Sequence, residues 1–160
     1  MKRNQTLRRA AAVAVAIILL DAVPLRLAAQ SSSSLASQMH LFSDYSKDFR
    51  AMGSSLSGEE WQEIDFLSDV ATSAEERLYA VGAMLDMYAA VSSPTDRAKV
   101  RSILKKQLDY YSWQMDNEAD RTAGSLQFAK KPAVAQMGLK MKDDLRATKR
   151  KLDAIAASLE

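Results

Sequence analysis

Beyond residue 34, apolar residues recur every three or four positions along almost the whole chain, the period of a helix buried on one face. In the first segment, Leu35 to Met52, the stripe is Leu35, Met39, Phe42, Tyr45 and Phe49, and Gly53-Ser54-Ser55 ends it. A second segment opens at Ser57, where Ser57 and Glu60 have the spacing of a capping box, and buries Trp61, Ile64, Leu67 and Val70 or Ala71. Ser73 and Glu76 repeat that spacing and predict a third helix, with Leu78, Val81, Leu85 and Tyr88 on its core side. Ser93-Pro94 opens a fourth: Ser93 caps, and Pro94 sits in the first turn, where its missing amide costs nothing. The fourth helix carries Val100, Ile103, Leu104, Leu108, Tyr111 and Met115 and runs to about Thr122. It is expected to continue, bent at Gly124, towards Lys130, and Pro132 bars a straight extension.

The fifth segment, Ala133 to about Ser158, keeps a four-three alternation through Val134, Gly138, Met141, Leu145, Thr148, Leu152, Ile155 and Leu159. That is a coiled-coil-like seam, and Gly138 in it would let a neighbour approach closely. With only five Gly and three Pro, and with Ala, Leu, Met, Lys, Glu and Gln dominant, nothing favours strands. The expected fold is all-α: an antiparallel bundle of four to five helices in one domain, residues 35–160. A long C-terminal hairpin, made by the last two segments, has the shorter helices packed along it.

The first 29 residues break this pattern. Lys2, Arg3, Arg8 and Arg9 precede an apolar run from Ala10 to Leu20, and Leu27-Ala28-Ala29 follows as a small-residue cleavage site. That is the layout of an export signal. An apolar core of 11 residues spans roughly 16 Å as a helix, and a bilayer core needs about 30 Å, so a stable membrane span after cleavage is not expected. Residues 30–34 form a polar serine leader. The expected location is therefore periplasmic or secreted. Arg8-Arg9 stands without the residues that usually complete a twin-arginine signal. The absence of cysteine excludes disulfides, thiolate clusters and a lipidated amino terminus.

Charge sharpens the picture. Residues 1–29 hold five cations and one acid, so their removal takes the chain from +2 to −2. Residues 36–76 carry a net −7, and residues 97–160 a net +6. Acidic helices packed beside basic ones would account for this internally. The alternative is a basic outer face of Lys140, Lys142, Arg146, Lys149, Arg150 and Lys151 that meets an envelope protein or an anionic surface. Lys105, Lys106, Tyr110, Tyr111 and Trp113 mix basic and aromatic character, but an exported chain is not expected to meet nucleic acid.

Candidate chemistry is sparse. His40, Asp44 and Asp48 share one helical face at four-residue steps and offer three potential metal ligands. Met84 with Met87, and Met137 with Met141, each place two thioethers on one helix, which would suit Cu(I). Solvated polar faces and methionine-filled cores give the same patterns without a ligand. No nucleophile elbow and no Glu-x-x-His pair occurs. No cofactor and no catalysis are expected. The sequence reads as an exported, non-catalytic interaction or structural module. Alternatives are a small-ligand or copper-binding bundle, or a binder of unfolded clients, since exported helical chaperones share its size, helix content and lack of cysteine. Self-association through the seam of the fifth segment is a further option.

Overall fold

The structure, a computed structural model, describes residues 35–54, 56 and 58–159. The expected export signal and serine leader, and Ser57 of the first capping box, lie outside these residues. The described chain is an all-α bundle of four helices: α1 (35–53), α2 (Glu59–Ala90), α3 (Pro94–Ser125) and α4 (Pro132–Ser158), with a short 3₁₀ turn at Leu126–Phe128 between the last two.

The separate second and third helices expected from sequence are one uninterrupted α2 of 32 residues. Ser73 and Glu76 lie inside it, and no Gly or Pro occurs between Glu59 and Val81 to break it. Its buried stripe runs through Ile64, Leu67, Ala71, Ala74, Leu78, Val81, Leu85 and Tyr88, a four-three alternation that crosses the expected boundary without a phase change. Ala71 and Ala74, both fully buried, bridge it. The helices beside the C-terminal hairpin are therefore not all short: α2 matches α3 in length at 32 residues, against 27 for α4.

Turn chemistry sets the links. Gly58 precedes α2 at φ 66°, a conformation that costs little only for glycine. Ser93 caps α3 as expected, its hydroxyl accepting from the Asp96 amide at 3.4 Å, with Pro94 in the first turn. Arg97 returns its guanidinium to the Val91 carbonyl at 2.8 Å and closes the α2–α3 link. Pro132 opens α4.

The registers are antiparallel throughout. Ser46 bonds Thr72 at 2.9 Å, and Arg50 donates to Ser68 at 3.1 Å, so α2 runs back along α1. Arg77 meets Glu118 across α2 and α3, and Arg146 meets Asp120 at 2.8 Å across α3 and α4. Tyr45 donates to Asp144 at 2.6 Å, and Thr148 donates to Gln38 at 3.0 Å, which closes α1 onto α4. The result is an up-down-up-down square with α1 and α3 on one diagonal. Its core is filled by Phe42, Phe49, Leu67, Leu78, Leu108, Met115, Met141 and Leu145, all fully buried. Each such side chain contributes about 1.5–3 kcal/mol by leaving water.

Two residues expected in the core lie outside it: Trp61 is 47% exposed and Ile103 58%. Each borders the apolar stripe of its helix, and its neighbours Ile64 and Leu104 take the buried positions. Gly138 does what its place in the seam suggests. A Cβ there would meet Leu126 Cδ2 at 2.5 Å and Cδ1 at 3.0 Å. Gly138→Val should therefore cost about 1–3 kcal/mol of stability by overpacking, read by urea denaturation. Adding Leu126→Ala should return part of that loss, and an unchanged loss in the double variant would refute the contact.

Candidate functional site

Three regions of the bundle carry enough chemistry to consider. The first is a cavity of about 720 Å³ at the end where α2 begins and α3 hands over to α4. Glu59, Glu60, Glu63 and Phe66 line it from α2, Arg121 and Ser125 from α3, and Lys130 from the link. Lys130 Nζ reaches Glu59 Oε2 at 3.2 Å, and the Arg121 guanidinium lies 5.1 Å from the centre of the Phe66 ring. One buried oxygen of Glu63 has no hydrogen-bond partner among the described residues. Burial raises its pKa above the ordinary carboxylate value, the nearby Glu60 adds to this, and a hydrogen bond with Ser125 opposes it.

Folding thus tightens the hold of Glu63 on its proton. The stability gained from protonated Glu63 is complete below the ordinary value of 4.5 and is lost as pH rises through the raised one. Glu63→Gln, which fixes the neutral form, should melt above wild type at neutral pH and coincide with it in acid. A gap of equal size at both would refute the assignment.

The second region lies between α2 and α3. Glu118, 9% exposed at its side chain, accepts from Arg121 at 3.0 Å and from Arg77 at 3.4 Å. Gln114 and Thr122 stand one turn to either side of it on α3. Arg77 Nη1, Gln114 Oε1 and Thr122 Oγ1 are buried without partners among the described residues.

The third region is the outward face of α3. Lys99, Ile103, Lys106, Tyr110 and Trp113 follow one another at steps of four, three, four and three residues, a second stripe on the side away from the core. Ile103 is 58% exposed, Tyr110 50% and Trp113 60%. The rings of Tyr110 and Trp113 stack at 6.1 Å with 25° between their planes, and Gln114 donates to the Tyr110 hydroxyl at 2.9 Å. Large apolar side chains grouped on an exposed face mark a contact surface more often than a random surface does.

The residues singled out from sequence fall as follows. His40, Asp44 and Asp48 are all exposed on α1, with Asp44 paired to Lys47 at 3.6 Å. No group of three or more potential ligands comes together to hold a metal among the described residues. Met84 and Met87 lie near the α2–α3 link, and Met137 and Met141 near the α3–α4 link at the opposite end of the bundle. Met141 is fully buried in the core, whereas Met87 is exposed. The four thioethers therefore form two separate pairs.

The six cations of α4 divide between its flanks. Arg146 pairs with Asp120 of α3, and Lys149 pairs with Asp153 at 2.7 Å. The Ser112 hydroxyl of α3 donates to the same Asp153. Burial would raise the Asp153 carboxyl, but the hydrogen bonds from Lys149 and Ser112 outweigh it and hold the pKa below the ordinary value. Lys142 pairs with the neighbouring Asp143 at 3.3 Å. Lys140 faces α1, with its Nζ 5.9 Å from the centre of the Tyr45 ring. Lys151 is half-buried and Arg150 is exposed. Acids thus hold three of the six, and all three acids belong to the basic half of the chain itself; Lys130 with Glu59 is a pair between residues 36–76 and 97–160.

Sequence reasoning noted Tyr110, Trp113 and Lys106 but placed Ile103 inside, and so missed the continuous outer stripe. The repeated four-three spacing from Lys99 was the signal available. The end cavity had no sequence signal, because its walls come from three segments that only the antiparallel registers bring together. Among the described residues, no helix is long and apolar enough to cross a membrane. No family model, no curated protein and no solved structure matches this chain.

Proposed function

We propose that this chain is an exported, non-catalytic helical interaction module of the cell envelope, periplasmic or secreted, that acts by surface contact. The supporting observation is the exposed stripe of Ile103, Tyr110 and Trp113 on α3. Isolated exposed apolar residues are ordinary, but a stacked Tyr–Trp pair aligned with an exposed isoleucine concentrates apolar surface on one face of one helix. Aromatic anchors of this kind dominate contact energetics. The basic residues of α4 are a weaker candidate contact, because acids already hold Lys142, Arg146 and Lys149. The export assignment rests on the layout of residues 1–29.

The test is a photo-crosslinking residue at Tyr110, compared with one at Ala154 on α4, in the full chain in its native cells. Tyr110 should give a defined crosslink in the envelope fraction that Ala154 does not. Equal or absent crosslinking at both positions would remove the reading. A second reading, a small-ligand-binding bundle, draws on the end cavity. Its volume of about 720 Å³ falls in the range that holds a small organic molecule, and Phe66 and Glu63 supply an apolar wall and a polar anchor.

A further inference from the structure

We propose that the outward stripe of α3 is a docking surface for anionic lipid headgroups. This rests on the reading of the bundle as a surface-contact module and names its partner. The stripe runs from Lys99 to Trp113, about 21 Å of helix. It alternates two cations, Lys99 and Lys106, with three large exposed apolar side chains, Ile103, Tyr110 and Trp113. The charge over its span is net positive: from Lys99 to Trp113, α3 holds four cations, Lys99, Arg101, Lys105 and Lys106, and one acid, Asp109. Asp109 lies within that span, one turn from both Lys106 and Trp113, and Asp96, just before it, sits 3.6 Å from Lys99 in an exposed pair. Exposed pairs of this kind are readily exchanged for other partners.

An anionic bilayer matches each part of the stripe. Indole and phenol rings settle at the headgroup boundary, where one edge is apolar and the other wet. Isoleucine enters the acyl edge, and lysine stems lie along the apolar surface while their ammonium groups reach the phosphates. The observations fit other occupants less well. A nucleic acid would stack its bases on open aromatic faces, whereas Tyr110 and Trp113 already stack on one another. A second copy of the same face, in register in either direction, would bring Lys106, at the centre of the stripe, against the Lys106 of the other copy.

The test follows Trp113 itself, so that adhesion elsewhere on the full chain cannot stand in for it. In a Trp61→Phe background, Trp113 is the only tryptophan. Adding phosphatidylglycerol vesicles should shift its emission to the blue, and brominated acyl chains should quench it. Phosphatidylcholine vesicles should do neither. Lys99→Glu with Lys106→Glu, and separately Ile103→Ser with Tyr110→Ser, should each weaken partitioning at least tenfold. All four positions lie on the solvent face, so helical circular dichroism should be unchanged. Unaltered Trp113 emission and no quenching on anionic vesicles would overturn the assignment, as would wild-type partitioning by both double variants. A Trp113 response to single-stranded DNA or to an acidic polypeptide, but not to vesicles, would overturn the lipid partner and leave the surface-contact reading standing.

Discussion

Phe49→Ala should lower the unfolding free energy by about 3–5 kcal/mol, measured by urea denaturation of the full chain. Phe49 is fully buried, and its ring lies 6.4 Å from that of Tyr45, which in turn packs 6.2 Å from Phe42. These three rings and Leu35 are the buried large apolar side chains with which α1, residues 35–53, closes the fourth side of the square, and Met39, Leu41 and Met52 pack beside them. Truncation removes the transfer free energy of the ring. It also leaves a void that rigid neighbours on α2 and α4 can only partly fill. Since domains are stable by roughly 5–15 kcal/mol in all, this one change consumes a large share. Phe49→Leu, which keeps most of the volume, should cost much less. A loss under about 1 kcal/mol for Phe49→Ala would mean that α1 is not part of the cooperative unit.

Glu118→Leu should cost about 3 kcal/mol, and most of that should return when Arg77→Leu is added. Glu118 is the acid between two guanidinium groups, with side-chain exposures of 18% for Arg77 and 54% for Arg121. Without Glu118, Arg121 regains water and keeps its place over Phe66. Arg77 cannot regain water so easily, and one of its terminal nitrogens already lacks a partner among the described residues. The loss therefore comes chiefly from stranding a cation between α2 and α3. Replacing both partners removes the stranded charge and fills the space with apolar atoms. A double-mutant cycle in denaturant reads the coupling directly. Additive losses would show that the two groups are solvated independently and that the contact at 3.4 Å contributes nothing.

The helical class, the Ser93-Pro94 start and the α4 seam were legible because each rests on local chemistry. The capping serine and the proline act within one turn, and the four-three spacing of α4 is visible without knowing its neighbours. Ser73-x-x-Glu76 misled because a capping box is only a spacing. It caps a helix when the chain before it leaves helical geometry, and here Ala71 and Ala74 continue the buried stripe across the site. Small residues weigh little in a hydrophobic pattern, yet two fully buried alanines are what joins the two halves of α2. Trp61 and Ile103 misled for the opposite reason. Both are strongly apolar and border the core stripe, and only the position of the neighbouring helices decides which edge of a stripe is covered. That same ambiguity concealed the outer face of α3, where the exposed position of Ile103 turns scattered cations and aromatics into one line.

The up-down-up-down order of the four helices has a corollary for connectivity. Gln38 on α1 and Thr148 on α4 share a bond, so the start of one and the finish of the other lie at the same end of the square. A circularly permuted chain that joins residue 159 to residue 35 through a short flexible tether, and opens at Ser92, would keep every interhelical contact and lose only the turn at 91–93. It should melt cooperatively with the helical signal of the parent, read by circular dichroism. Non-cooperative melting would mean that the native order of attachment, and not the packing alone, specifies the arrangement.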